Sequence, residues 1–357
     1  MVIENDIVVA IMAGGSGTRF WPLSTKENPK QFICLFGKRT MIQHTYDRVL
    51  DIVPPDRILV VTSERFRKVV QTQLPDLPKE NILCEPVPRD TSGAVALSAY
   101  YCKIKYDKST IVTLAADHYI TPKEDFQATL LSAAKEARVN KALYTFGIKP
   151  THPATGYGYL KTGSEVTTND QQSHFQLERF VEKPDRERAC EFLESGDYFW
   201  NSGMFVWETD TIISGLQKHL PKHSEIFESI SNTENISGFI LRVNDVFPEL
   251  EKISIDFGLM EKADNVRMVV GDFEWSDVGS WPSLEQFYEQ DENSHRSKGT
   301  LLSHNSKNCF SFCNDEEETV AMVGVENIIV VRNGKTTLVV DRNKSESIKT
   351  LVENDVK

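Results

Sequence analysis

The chain has 357 residues and a formal net charge of −12 at pH 7, with 40% hydrophobic and 26% charged residues. A chain of this size and composition can bury a core without metal or disulfide staples, which excludes a disordered segment, a fibre or a collagen-like repeat. The acidic balance argues against a nucleic-acid partner, which would need a basic footprint, but not against small anions that sense only the local field of a cleft.

The longest apolar run, residues 7–13, is far short of the ~20 residues needed to span a bilayer, so no membrane association is expected. The acidic N-terminus lacks the basic region of a signal peptide. The six cysteines, at 34, 84, 102, 190, 309 and 313, form no C-x-x-C pair. A cytoplasmic chain without disulfides follows, with Cys309 and Cys313 as strand residues rather than metal ligands.

In chain order, residues 7–13 predict a strand ending in glycines, 40–50 a helix, 57–62 a strand and 64–74 a helix closed by Pro75. Strands follow at 81–84, 110–115 and 143–147, with helices at 91–104 and 124–137 between them. Near-continuous apolar strands alternating with helices predict an α/β fold: a Rossmann-like mixed, mainly parallel sheet covered by helices. Beyond residue 155 a strand pair is expected at 156–161 and 175–182, a helix at 185–195 and a strand at 199–208. Residues 209–263 read as helices broken by Pro221, Gly238 and Pro248, followed by a strand at 266–271 and a helix at 280–288. The polar stretch 289–299 reads as a linker. It separates a large domain, 1–290, with halves at about 1–150 and 151–290, from a small β-rich domain, 299–357. That domain has short strands at 300–303, 309–313, 327–331 and 336–340 and a closing helix at 345–353. It is expected to be structural or an oligomer contact, and a homodimer is the expected assembly.

The first strand runs into Gly14-Gly15-Ser16-Gly17-Thr18-Arg19-Phe20, with Lys30 following in Asn28-Pro29-Lys30-Gln31. Glycines admit a ligand close to the backbone, successive N–H groups form a nest for anionic oxygens, and Arg19 adds a planar cationic fork. The pattern lacks the Lys of a Walker loop, and Phe20 occupies a position where a dinucleotide fingerprint needs Gly or Ala. A phosphate-binding loop at the carboxyl end of a strand is the reading that remains.

Two acidic positions accompany it: Asp117 in Leu114-Ala-Ala-Asp-His118, and Asp277 in Trp275-Ser-Asp-Val-Gly-Ser-Trp281. Each alone could be a helix cap or a buried, backbone-bonded Asp. Two carboxylates facing a phosphate loop also supply what a hard divalent cation requires. Glu182 and Lys183 in Phe180-Val-Glu-Lys-Pro184 offer a hydroxyl acceptor and a phosphate cation, or an exposed charge pair. Asn201, in Trp200-Asn-Ser-Gly-Met204, can read a polyol or flank a bulge at Gly203. His219 and His223 straddle Pro221 and read as surface residues. No nucleophilic Ser or Cys motif is present. Such a set suits phosphoryl-type transfer, in which positioning and charge neutralisation replace a strong general base.

These motifs, in this order and across essentially the whole chain, resemble the sugar-nucleotide pyrophosphorylases and, within them, the bacterial-type mannose-1-phosphate guanylyltransferases. The resemblance implies a Mg²⁺-dependent reaction of GTP with mannose 1-phosphate to give GDP-mannose and pyrophosphate. It places Gly14, Gly15, Ser16, Gly17, Thr18, Arg19 and Lys30 on the triphosphate, Asp117 and Asp277 on the metal, and Arg19, Lys30, Asp117 and Asp277 in the catalytic set. It assigns Gly158, Glu182 and Asn201 to mannose hydroxyls and Lys183 to the sugar phosphate. Glu85, Arg89 and Thr91 would read the base, although Pro88, Asp90 and Ser92-Gly93 replace the family's usual residues there. Relatives often carry an additional phosphomannose isomerase domain. This chain has no such stretch, so a single activity is expected. A nucleotidyltransferase for another sugar 1-phosphate or base, and a non-catalytic regulatory paralogue, are the alternatives.

Overall fold

In the computed structural model, which describes residues 6–15, 17–168, 170–232 and 235–355, the chain divides into two compact units. The first comprises the chain up to Gly14 together with Gln43–Ala116 and Ile120–Trp275. The second gathers Gly15–Ile42, Asp117–Tyr119 and Ser276–Lys357. Compactness therefore groups the glycine loop with the C-terminal strands rather than breaking at residue 290.

The first unit is built on a nine-stranded sheet. Its strand order is Ile82–Glu85, Ile58–Ser63, Ile7–Met12, Thr110–Ala115, Tyr198–Glu208, Leu143–Ile148, Val266–Gly271, His174–Val181 and Tyr159–Val166. The first four run parallel, and their near-continuous burial is what a sheet covered on both faces imposes. Tyr198–Glu208 enters antiparallel to both neighbours, so the sheet is mixed, as expected. Helix Asp90–Tyr106 lies in the core and buries Gly93, Ala94, Ala96 and Ala99, small residues that let a helix approach closely. Trp207, Tyr101, Phe227, Phe239 and Phe247 fill the same core.

Several expectations shift for local reasons. Pro221 opens helix Pro221–Ser231 at its first turn, where the missing N–H removes no bond. Gly238 does not break a helix. It lies in the first turn of Ile236–Val246, where its N–H donates to the Asn235 cap at 2.9 Å. His223 is not a surface residue: it is 1% exposed and its Nε2 lies 3.0 Å from Ser92 Oγ. Residues 289–299 are not a loose connector, because Asp291 accepts from the N–H groups of Asn293 and His295 and strand Arg296–Lys298 follows. The six cysteines form no disulfide, and among the described residues no helix is long and apolar enough to cross a membrane.

In the second unit, strands Arg296–Lys298, Phe310–Cys313 and Ile328–Asn333 stack in parallel, and Thr336–Asp341 closes the sheet antiparallel. Thr300–His304 pairs in parallel with Thr319–Val323, a strand whose alternation of Val320 and Met322 inward was not read from the sequence. The core joins Phe310, Phe312, Ile329 and Val331 to Phe20 and Leu23 of the glycine-loop segment, with Trp281 fully buried between them. Trp281 meets Phe20 edge-on at 5.1 Å and lies 5.2 Å from Phe312. Its indole Nε1 donates to Trp21 O at 3.3 Å, and Asn333 Nδ2 donates to Pro22 O at 2.9 Å. The loop is thus pinned from the β-rich side by both apolar contact and hydrogen bonds. Trp281→Ala is expected to lower the stability of the unit by about 3–5 kcal/mol, read as a shifted urea midpoint. A change below about 1 kcal/mol would show that this ring does not organise the core.

Candidate active site

The glycine loop takes its shape from one close approach. Gly17 has φ +51°, and a Cβ there would lie 2.7 Å from Lys30 Cβ and 2.8 Å from Lys30 N, so no larger residue fits without displacing backbone. Ser24 Oγ donates to Gly17 O at 2.5 Å, and a short 3-10 turn, Thr18–Phe20, follows. Gly15 is also left-handed, at φ +96°, and Gln31 Nε2 donates to its carbonyl at 3.4 Å. Ser16 lies outside the described residues.

Lys30 is 4% exposed. Its Nζ sits 3.0 Å from Asp117 Oδ2 and donates to the backbone carbonyl of Asp277. A buried ammonium is tolerated only with such partners. Burial acts to raise the Asp117 pKa, but the charges of Lys30 and His118 outweigh it and hold the carboxyl below the usual range. The Asp277 carboxylate lies over Gly279, where a Cβ would come within 2.9 Å of Oδ2. Arg19 lies further out, half exposed, with Nε 3.1 Å from Glu346 Oε2. Gly17, Thr18, Arg19, Lys30, Asp117 and Asp277 line one cleft of about 330 Å³ in the second unit.

The residues expected to read the sugar come together in the first unit. Asn201 N donates to Gly158 O at 2.8 Å, and a Cβ on Gly158 would lie 3.6 Å from both Asn201 Cβ and Glu182 Oε2. Lys183 Nζ pairs with Glu182 Oε1 at 3.2 Å and is largely exposed. The Asn201 amide is oriented from three directions: Oδ1 accepts from Gly203 N and Thr145 Oγ1, and Nδ2 donates to Asp256 Oδ1 at 2.9 Å. Asp256 escaped the sequence reading because it opens the π-helical turn Asp256–Met260, whose irregular register no periodicity announces. Burial pushes its pKa up, the Asn201 bond partly offsets this, and the charges of Glu182 and Asp90 push it further up.

Of the base-reading candidates, Glu85 ends strand Ile82–Glu85, and its Oε2 is 3.9 Å from the place a Gly14 Cβ would take. Arg89 and Thr91 have partners within the fold: Arg89 Nη2 donates to Pro248 O, and Thr91 Oγ1 accepts from Ile255 N at 2.8 Å. Both side chains tie the start of helix Asp90–Tyr106 to the 248–255 segment. Asp90, at φ +62°, accepts from Thr91 N at 2.8 Å.

Comparison with known proteins places this architecture. A family model for nucleotidyl transferase matches residues 8–294, and one for the MannoseP isomerase/GMP-like beta-helix domain matches 300–354. The mannose-1-phosphate guanylyltransferase of Klebsiella pneumoniae is 40% identical over 352 residues, covering 97% of this chain and 73% of that protein. The chain belongs to the mannose-1-phosphate guanylyltransferase family of nucleotidyl transferases. The Escherichia coli relative of the same name matches with the same identity and coverage. A crystal structure from Thermus thermophilus, described as a mannose-1-phosphate geranyltransferase, superposes with a TM-score of 0.86 at 32% identity and covers 98% of both chains. The expected fold class and enzyme class therefore stand: the chain is a nucleotidyltransferase with a β-rich C-terminal domain.

Glu85 provides a test of the electrostatics. Burial, reinforced by the Asp90 charge, raises its pKa from 4.5 to about 7. The protonated form is the one the fold prefers, so its stabilising contribution is complete below 4.5 and is lost as pH rises through about 7. Glu85→Gln is expected to remove that slope, becoming more stable than the parent chain at about pH 8 but not at about pH 5.5 in urea titrations. Parallel stability profiles for the two proteins would show that Glu85 ionises freely.

Proposed function

We propose that the chain transfers GMP from GTP to α-D-mannose 1-phosphate, giving GDP-mannose and pyrophosphate. The observation that carries this reading is the cleft of the second unit, where buried Lys30 holds Asp117 and the Asp277 backbone beside a glycine nest and Arg19. The family supports the substrate pair, since the curated relatives at 40% identity are named for it.

The chemistry follows from the charges. A phosphate monoester has a second pKa near ~6, so the sugar phosphate is already ionised at pH 7 and needs no strong general base. One of its oxygens attacks the α-phosphorus of GTP in line. The bond to the bridging oxygen breaks, and pyrophosphate leaves with the electron pair. Lys30 and Arg19 neutralise charge on the leaving group, and the loop N–H groups around Gly15 and Gly17 bind its oxygens. Gly158, Glu182 and Asn201 read mannose hydroxyls, Lys183 meets the sugar phosphate, and Glu85 reads the base.

The donor set fits Mg²⁺. Among the described residues no three acidic, His or Cys side chains converge into a closed metal cage. An open pair of carboxylates in a phosphate cleft, with Gly279 leaving room for Asp277, suits a cation that takes one or two carboxylates and completes its shell with phosphate oxygens and water. Asp117 and Asp277 would hold it, and when bound it supplies Lewis-acid neutralisation of the triphosphate. The reading also includes a cytoplasmic location and a homodimer. Leu302, Val323 and Val339, all more than half exposed on the second unit, support self-association.

Another base remains a second reading, because Arg89 and Thr91 are engaged with Pro248 and Ile255, leaving Glu85 as the principal reader. Pyrophosphate release across a grid of nucleoside triphosphates and sugar 1-phosphates, with and without Mg²⁺, separates the cases. GTP with mannose 1-phosphate and Mg²⁺ is the expected optimum, and clear preference for another pair would overturn the assignment. No turnover with any pair would identify a binding protein. Asp117→Asn and Asp277→Asn are each expected to lower kcat by about a hundredfold or more while the chain stays folded. Near-normal turnover in both would remove them from the metal site.

A further inference from the structure

The phosphate cleft has a wall that the glycine-loop motifs do not contain. The C-terminal helix Ser347–Asp355 packs on the turn Thr18–Phe20, and its Ile348 and Val352 are 2% and 5% exposed in the core that also buries Phe20. This anchoring turns Lys349 into the cleft, where it lines the same cavity as Gly17, Arg19, Lys30 and Asp117. Just before the helix, Glu346 Oε2 lies 3.1 Å from Arg19 Nε. The apolar contacts fix the helix, so these two charges are held at the cleft by the fold rather than by their own pairing.

Three cations, Arg19, Lys30 and Lys349, thus face three carboxylates, Asp117, Asp277 and Glu346. Lys30 is committed to Asp117 and the Asp277 carbonyl. Arg19 is paired with Glu346 across a largely solvated gap, and Lys349 is paired with Glu353 at 3.7 Å, both side chains more than half exposed. Exposed pairs of this kind are weak and exchange readily for a better anion. A pyrophosphate group carries several negative charges and would outcompete a single carboxylate for both cations.

We propose that the C-terminal helix completes the pyrophosphate subsite: Lys349 binds the terminal phosphates of the nucleotide, and Glu346 occupies Arg19 in their absence as an internal competitor. This rests on the cleft being the triphosphate site, and it adds two residues from outside the nucleotidyl transferase match, which ends at 294. It implies that the β-rich domain takes part in substrate binding as well as in packing. Because the contact is to the pyrophosphate end, the sugar phosphate should be indifferent to it.

The test is calorimetric binding of inorganic pyrophosphate with Mg²⁺ to the full chain, together with steady-state KM values for both substrates. Lys349→Ala is expected to weaken pyrophosphate binding about tenfold and to raise the nucleotide KM in parallel, with Lys349→Arg restoring most of the affinity. Glu346→Gln is expected to tighten pyrophosphate roughly threefold by releasing Arg19. The KM for sugar phosphate should be unchanged in all three. Both side chains are exposed, so equal thermal midpoints should confirm intact folds. If the parent chain binds pyrophosphate but Lys349→Ala binds it equally well, the helix is only packing and the inference falls while the site assignment survives. If the parent chain neither binds nor releases pyrophosphate, the site assignment falls and takes the inference with it.

Discussion

An ammonium group buried to 4% exposure constrains the second unit more than any other feature. Lys30 must find its counter-charge and its hydrogen-bond acceptors inside the protein, and it finds them in the Asp117 carboxylate and the Asp277 carbonyl. Those two partners come from distant parts of the chain, so one side chain ties three segments together. Gly17 completes the arrangement from the other side, because only a residue without Cβ lets the loop close on the Lys30 backbone. The nest, the two acids and the cation are therefore one packed object, held ready before any ligand arrives. That readiness is what electrostatic catalysis requires, since donors already in place need not reorganise during the reaction.

The first unit poses the opposite electrostatic problem. Glu85, Asp90, Glu182, Asp256 and Glu261 influence one another, and burial raises the pKa of Glu85, Asp256 and Glu261. Such crowding weakens the fold at neutral pH, yet it leaves carboxyl groups that can exchange a proton for a ligand hydrogen bond. Asn201 shows how the arrangement is stabilised. Its amide is clamped by Thr145, Gly203 and Asp256, so it presents a fixed face where Glu182 and Gly158 also lie. Precise orientation of neutral and acidic acceptors suits a polyol, whose hydroxyls both donate and accept.

Much of this was legible in the sequence, and the limits have physical causes. The parallel strands announced themselves because burial on both faces leaves unbroken apolar runs, as in Ile7–Met12 and Thr110–Ala115. The glycine loop was legible because backbone geometry restricts residue choice at Gly17. Partnership was not legible. Nothing in the spacing of Arg89 or Thr91 shows that Pro248 and Ile255 take up their polar groups, and nothing around Asp256 signals a π-helical turn. His223 misled because Pro221 reads as a break, whereas it starts a helix whose inward face carries the imidazole to Ser92. Compactness misled too, since the affinity of Phe20 and Leu23 for Trp281 and Phe310 is a property of side-chain shape rather than of chain order.

A net charge of −12 would repel a nucleoside triphosphate at long range, and the local arrangement resolves the conflict. In the cleft of the second unit cations and carboxylates balance, and the carboxylates are either committed to Lys30 or placed to share a divalent ion. An anion arriving with its own metal therefore meets no excess negative charge at the point of contact, and screening at physiological salt confines the repulsion beyond it to about 8 Å. The same logic explains why the site contains few cations. A cleft with several unpaired lysines would bind pyrophosphate too tightly to release it, whereas cations already paired with carboxylates give up only the difference between two partners. Binding strength is then set by exchange, and each exchange can run backwards when the product leaves.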